Sequence, residues 1–371
     1  MPAQAPTLPD YGAACVSEIV PTLLGRPPVR PQWLPQPAWD AKRCVLLVLD
    51  GLGWQQLRSH ADVMPTVSAM VGGPITTVCP STTAAALTSI TTGTAPGEHG
   101  VIGYRIADSG TVLNALRWRH DEGGDARRRV PAEEFQPVRP FMGMSVPVVT
   151  KAEFEWTGFT DAHLRGARWC PWAVPSSIVS RVAELTAAGA PFVYAYYDGI
   201  DKVAHFEGLG RAYLDEMAFA DHLVASVIDA AAPGTAVVVT ADHGQMYVGD
   251  NNVALAPEVL AATSFQSGEA RFRWLHARPG RAADLADMCN DLYSELAWVA
   301  PVEQVIDENW FGPRVASHAR RRFGDVALVA CEPVAFDDPA DSGNIELIGR
   351  HGGLTSAEML VPLVATVADG G

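Results

Sequence analysis

Three things are scarce in this chain of 371 residues, and each scarcity removes a class of function. Positive charge is short, with 27 Lys and Arg against 42 Asp and Glu and a formal net charge of −15. Affinity for a nucleic-acid backbone rests on clustered cations, so no nucleic-acid polymer is expected as a partner. The basic runs DARRR (125–129) and HARRRFG (318–324) are too short and isolated to change that. Cysteine is sparse and scattered: Cys15, Cys44, Cys79, Cys170, Cys289 and Cys331 form no CxxC pair. That pattern argues against both a disulfide framework and a thiolate zinc site. Long apolar runs are missing too, since no segment approaches roughly 18 uninterrupted apolar residues. The opening MPAQAPTLPDYGAACVSEIV also lacks a basic stretch followed by an apolar one. The expectation is a soluble, cytoplasmic protein with no membrane partner, and its oligomeric state is not legible.

What is present suits a folded α/β protein, 48% hydrophobic and 19% charged. After a Pro-rich lead over 1–40, the run RCVLLVLDGLGWQQL has the form of a buried strand, an acid, a Gly turn and a helix. A continuous apolar run of that length reads as a strand covered on both faces, as in a parallel sheet. The same grammar recurs in PFVYAYYDGID and GTAVVVTADHGQ. Between these two, Leu214, Met217, Ala220, Val224, Val227 and Ile228 recur at helical spacing. Acids at the ends of such strands predict a site beyond the carboxyl edge of the sheet.

Two segments depart from this alternation. Residues 105–190, with Trp118, Trp156, Trp169 and Trp172 among turns and charges, are expected to be an insertion over the sheet edge. Residues 264–339 are expected to form a small α+β lobe. In it ARFRWLHA, WVAPVEQVI and DVALVAC read as strands, and RAADLADMCNDLYSEL reads as a helix. The tryptophans are expected to anchor a small core, with a share in shaping substrate choice for any that reaches the site.

Four segments carry side chains that bind metals. Asp50 closes VLLVLD, Asp201 and His205 form a D-x-x-x-H pair, Asp242 and His243 close VVVTADHG, and His351 lies in LIGRHGG. Carboxylates and imidazoles suit divalent ions, zinc first, then manganese or iron. Four-residue spacing brings Asp201 and His205 to one side of a helical turn. Each feature alone has a plainer explanation, as a cap or a solvated face; together they converge. His60, His120, His163, His222, His276 and His318 read as surface or hydrogen-bonded residues, and His99 as a turn holder. The stretch VCPSTTAAALTSITTGTAPGEHG (78–100) offers Ser81, Thr82 and Thr83 before a helix. They are either caps or a source of a nucleophile at a helix N-terminus, where an anion is favoured.

The ordered series LDG, PSTT…TTGTAPGEHG, DxxxH, TADHG and HGG…EMLVPL over 43–367 resembles the alkaline phosphatase superfamily. Within it, the chain is most similar to the type I phosphodiesterase/nucleotide pyrophosphatase family, in particular to compact bacterial members. The resemblance implies a three-layer, mostly parallel sheet flanked by helices, in a catalytic domain spanning 41–371 with the two insertions above. It implies a phosphoric ester hydrolase acting on a small phosphoester substrate with two divalent ions, most simply zinc. Asp50, Asp242 and His243 would hold one ion, and Asp201, His205 and His351 the other. Thr83, three residues after Pro80 and ten before Gly93, would be the nucleophile, pass through a phosphothreonine intermediate and ligate the first ion. Where eukaryotic phosphodiesterases continue with Phe-Pro-Asn, this chain has Ala84, Ala85 and Ala86. The resemblance leaves two alternatives, a phosphomonoesterase of the same superfamily and a non-catalytic metal-binding relative. A sulfatase is disfavoured because Cys79 abuts Pro80 with no Arg following. Arg117, Arg119 and Arg165 are candidate anion contacts that read more simply as surface charge.

Overall fold

In a computed structural model, which describes residues 4–341 and 347–369, the run RCVLLVL forms β1 (Arg43–Leu49), buried from Cys44 onward. It is buried because it lies inside a sheet of seven strands. Their order is β2 (Val71–Thr76), β7 (Leu360–Val367), β6 (Thr235–Thr240), β1, β5 (Phe192–Tyr197), β3 (Pro147–Val149), β4 (Arg168–Trp169). β1 pairs in parallel with β5 and β6, and β3 pairs in parallel with β5 and β4. Only β7 runs antiparallel to its neighbours β6 and β2. Leu49 lies opposite Tyr197 and Val48 opposite Thr240, so the three central strands end at one edge of the sheet.

The helices that cover the faces follow from the same pattern. The apolar stripe read over 213–232 is α4 (Arg211–Ala230), which buries Met217, Ala220, Val224 and Val227. It packs against α2 (Ser176–Ala187) and α3 (Gly199–Glu207). α1 (Thr83–Thr92) is buried along its whole length. β2 escapes detection in sequence because VGGPIT reads as a turn; it stands at the sheet edge, where Gly and Pro are tolerated.

The stretch expected as an insertion is in part something else. Pro147–Val149 and Arg168–Trp169 join the central sheet, and α2 leads directly into β5. Strands of two or three residues show no period, which is why they read as irregular chain. Outside the sheet, Arg105–Asp108, Thr111–Asn114 and Arg119–His120 make a small antiparallel sheet. Of the four tryptophans, Trp118 and Trp172 are buried, Trp169 is half-buried and Trp156 is exposed.

Residues 263–330 form a four-stranded antiparallel sheet in the order Thr263–Glu269, Phe272–Ala277, Val326–Ala330, Ala297–Pro301. α5 (Ala282–Tyr293) covers one face with its own core, including Leu275, Leu285, Cys289 and Phe336. The expected strand WVAPVEQVI stops halfway: the chain turns helical over Val302–Asp307 because Pro301 cannot donate to a ladder and opens a helix readily. The N-terminal lead is packed down rather than free. Thr7 N donates to Leu354 O at 2.8 Å, and Tyr11 Oη donates to Trp310 O at 3.1 Å.

Candidate metal centre

The six carboxylate and imidazole side chains singled out in sequence as metal-capable come to the carboxyl edge of the sheet. Asp50 follows β1, and Asp242 with His243 follows β6. Asp201 and His205 lie on α3, which begins beyond β5. The backbone ties these ends together: Asp50 N donates to Tyr197 O at 2.9 Å and Asp201 N donates to Asp50 O at 3.1 Å. Gly51 makes the approach possible. Its φ is +76°, and a Cβ there would stand 3.0 Å from Asp201 Cα, so a larger residue would push α3 away.

His351 arrives from the loop after the 263–330 lobe and is held by the segment before α1. Its Nδ1 donates to Ser81 O at 2.9 Å, while Ser81 Oγ donates to Gly353 O at 2.6 Å and accepts from Gly352 N at 3.1 Å. Ser81 is therefore more than a turn residue. Thr82 takes the N-cap position of α1 without a side-chain cap, and Thr83 is the first helical residue. The first backbone bond of α1 runs from Ala86 N to Thr82 O, so the N–H groups of Thr83, Ala84 and Ala85 are left at the open end of the helix.

The three imidazoles share one arrangement. His205 Nδ1 lies 2.7 Å from Gly349 O, His243 Nδ1 2.9 Å from Gly244 O, and His351 Nδ1 2.9 Å from Ser81 O. A nitrogen facing a carbonyl carries a proton, so each ring, when neutral, presents Nε2 to the centre as a lone-pair donor. Around these nitrogens stand the carboxylates. His205 Nε2 lies 3.3 Å from Asp201 Oδ2, and His351 Nε2 lies 3.7 Å from Asp201 Oδ1. His243 Nε2 lies 3.4 Å from Asp50 Oδ1, 3.5 Å from Asp242 Oδ2 and 3.0 Å from Thr83 Oγ1. The rings of His243 and His351 stack at 3.5 Å.

The donor atoms fall into two overlapping groups, Asp201, His205 and His351 in one and Asp50, Asp201 and His243 in the other. Asp201 belongs to both groups, and Asp242 Oδ2 lies 3.5 Å from His243 Nε2 on the side of Asp50. Two further facts fit a cation. Asp50 Oδ1 and Asp242 Oδ2 are buried with no hydrogen-bond partner, and both face His243 Nε2. Burial, with the charges of Asp242 and Asp201, pushes the Asp50 carboxyl well above the usual range. Burial also raises Asp242, against the pull of His243. At Asp201 burial is outweighed by His205, His351 and His243, and its carboxyl is held down. Carboxylates packed this closely in a dry site are a setting for divalent metal.

Some partners had no signal in the sequence. Tyr196 donates its hydroxyl to Asp50 Oδ2 in a short contact, and Gln245 Nε2 donates to Asp201 Oδ1 at 2.6 Å. Gln245 follows ADHG directly, so its neighbourhood was the available clue; Tyr196 was one of several aromatics in a strand. His99 is buried and bonded to Ser89 Oγ at 2.9 Å, holding the turn as expected. Arg165 is spent on the carbonyls of Ala162 and Val138, and Arg117 and Arg119 line a separate crevice with Asp121.

A cavity of about 210 Å³ opens beside Thr83, Asp50 and Asp201. The sequence model of the family described as type I phosphodiesterase / nucleotide pyrophosphatase matches residues 44–354. The chain belongs to that family. Its members are metal-dependent phosphoric ester hydrolases. Solved structures share the family fold. Murine ectonucleotide pyrophosphatase / phosphodiesterase 5 aligns with a TM-score of 0.62 at 16% identity over 87% of each chain. An inactive form of that murine protein, in complex with AMP, aligns with a TM-score of 0.62 at 15% identity over 87% of each chain. Phosphonoacetate hydrolase from Sinorhizobium meliloti 1021, in complex with phosphonoformate, aligns with a TM-score of 0.61 at 17% identity, over 88% of this chain and 90% of that one. No curated protein matches the sequence. Among the described residues no helix is long and apolar enough to cross a membrane.

Proposed function

We propose that this family member hydrolyses a small phosphodiester through Thr83, at a centre of two divalent ions held by Asp50, Asp201, His205, Asp242, His243 and His351. One observation supports it above the others: three imidazoles, each with Nδ1 fixed on a backbone carbonyl, direct Nε2 at three buried carboxylates beside the Thr83 hydroxyl. The carboxylate and imidazole set favours zinc, with manganese or iron as competitors. Such ions, when bound, lower the pKa of a hydroxyl and neutralise charge on a departing oxygen.

The chain's own residues do the rest. Thr83 Oγ1, its proton passed to solvent, attacks phosphorus in line; one ester oxygen departs as the alcohol with a proton from solvent, and the phosphoryl group, still carrying its second ester, stays on Thr83 as a phosphothreonine ester; water then breaks the Oγ1–P bond, releasing the phosphomonoester and restoring the hydroxyl. The free N–H groups of Thr83, Ala84 and Ala85 receive the non-bridging oxygens, and the dipole of α1 favours the negative charge. Tyr196 and Gln245 hold Asp50 and Asp201 in place, as outer partners of metal ligands do.

The test is hydrolysis of bis(p-nitrophenyl) phosphate with added zinc or manganese, beside p-nitrophenyl phosphate, in wild type and Thr83→Ala. Metal-dependent release by wild type, abolished in the variant, supports the proposal, and mass spectrometry of quenched enzyme would find a p-nitrophenyl phosphoryl group on Thr83 after the diester and a bare phosphoryl group after the monoester. Equal rates in both proteins would overturn it. Activity that survives chelation would point instead to His243 acting as a base on Thr83, from which it lies 3.0 Å. Preference for the monoester would mark a phosphomonoesterase.

A further inference from the structure

The cavity beside Thr83 has two unlike ends. Asp50, Thr83 and Asp201 line one, and Leu87, Leu116, Phe154, Phe159 and Leu164 line the other. Building on the hydrolysis proposed above, we infer that this apolar end receives one compact, uncharged organic group of the substrate, an aryl or branched alkyl ester, in place of a nucleoside.

Size is the first argument. The cavity measures about 210 Å³, phosphoryl end included. An apolar cavity of about 150 Å³ holds a benzene ring, whereas pockets for larger ligands run to roughly 300–1,000 Å³. One ring beside a phosphoryl group fills most of that volume, and a base with its ribose would have to extend out of it. Charge is the second. Lys202, the one cation on the lining among the described residues, bonds to Asp198 at 2.8 Å, and Lys151 takes the same carboxylate oxygen at 2.7 Å and stands 3.8 Å from Glu153. Both are thus engaged by carboxylates of the protein. His163 adds no charge: burial holds its imidazole down at about 4, its Nδ1 meets Phe159 O at 2.6 Å, and its ring stacks on Phe159 at 4.0 Å. The third argument is polarity. Thr157 and Thr160 are bonded to each other, and Thr160 donates on to Phe154 O, so their hydroxyls are already occupied. The buried Tyr194 hydroxyl has no partner among the described residues, and with the Thr150 hydroxyl it can meet a polar atom or two on the ligand.

Phosphonates carrying one organic group test this without ambiguity of orientation. Phenylphosphonate, methylphosphonate and thymidine 5′-monophosphate are titrated into metal-loaded wild type by calorimetry, and as inhibitors of bis(p-nitrophenyl) phosphate hydrolysis. Phenylphosphonate is expected to bind at least about tenfold more tightly than either other ligand, the scale on which an apolar pocket discriminates. Leu116, half-buried at the cavity wall, allows the space to be changed. Leu116→Trp should erase the phenyl preference while methylphosphonate stays within about twofold. Leu116→Ala should shift the preference to naphthylphosphonate, and it decides the matter if the Trp variant does not fold. Tighter binding of thymidine 5′-monophosphate, or variants that leave the ranking unchanged, would overturn the inference. Calorimetry reads the cavity even if no ester is turned over, so failure of the hydrolysis proposal is seen separately.

Discussion

Replacing Ser81 by alanine isolates a contact that joins the two halves of the candidate centre. Ser81 is fully buried, and its hydroxyl makes two bonds to the loop after His351, to Gly353 O at 2.6 Å and from Gly352 N at 3.1 Å. Alanine leaves both backbone groups buried and bare, each at a cost of about 1–3 kcal/mol before relaxation. A loss of about 2–4 kcal/mol in unfolding free energy is expected, read from urea midpoints. The Ser81 carbonyl remains, so His351 keeps its bond at Nδ1, but the loop that carries it loses its tether. Partners one step removed from a metal ligand typically contribute about 10–100-fold to affinity or activity, and that range is expected for apparent metal affinity in a zinc titration of diester hydrolysis. Equal urea midpoints would refute the tether. A weaker fold with unchanged metal affinity would refute its coupling to His351.

Three other outcomes follow from the same geometry. Tyr196→Phe removes the phenol hydroxyl that donates to Asp50 Oδ2 and should lower metal affinity by about 10–100-fold while leaving the melting temperature nearly unchanged; unaltered affinity would show that Tyr196 does not orient Asp50. Arg271→Met strands Glu358, whose two oxygens meet Arg271 at 2.6 and 2.8 Å in a fully buried pair, and should cost about 3–5 kcal/mol; recovery in Arg271→Met/Glu358→Leu would be partial, since Glu358 also accepts from Gly353 N and Thr355 Oγ1. Glu269 is buried and its carboxyl is pushed up to about 8, so the folded state holds a proton that the unfolded chain releases near the ordinary Glu range; stability present below that range is lost as pH rises toward 8, and Glu269→Gln should flatten the slope between pH 5 and 8 in a series of urea midpoints, which a slope equal to wild type would contradict.

How much of this could be read from sequence depended on whether a feature is local. Asp50, Asp242 and His243 were legible because each follows a continuous apolar strand of six or seven residues, and a buried parallel strand of that kind must end at a polar edge. Asp201 and His205 were legible from spacing within one turn of helix. Ser81, Tyr196 and Gln245 were not. Their roles depend on which segments face each other across the sheet edge, and Ser81 meets a loop 271 residues away. The short strands Pro147–Val149 and Arg168–Trp169 failed for a different reason. They are placed by β5 beside them and have no pattern of their own. The helix that replaces half of WVAPVEQVI was foretold by Pro301, a signal outweighed by the β-branched residues around it.

The two ends of the cavity are built on different parts of the fold, and this bears on how the family's chemistry is kept while substrates change. The phosphoryl end sits on the central strands and on loops fastened from several sides. Tyr11 Oη accepts from Cys79 N at 3.3 Å, Ser81 ties the His351 loop, and the Arg271–Glu358 pair fixes Gly353 from the 263–330 lobe. Displacing any ligand by a fraction of an ångström would disturb the centre, so rigidity is concentrated there. Most of the apolar end comes from residues 116–164, which include Arg119–His120 of the small antiparallel sheet and Pro147–Val149 at the outer side of the central one. A substitution at Leu116 is expected to reshape what is bound with least effect on Asp50 and Thr83, whereas Phe154 packs against Tyr196, the donor to Asp50. Under the two proposals above, metal-ion chemistry falls to the parallel core and substrate choice to the segment beside it, which is where sequence patterning is weakest.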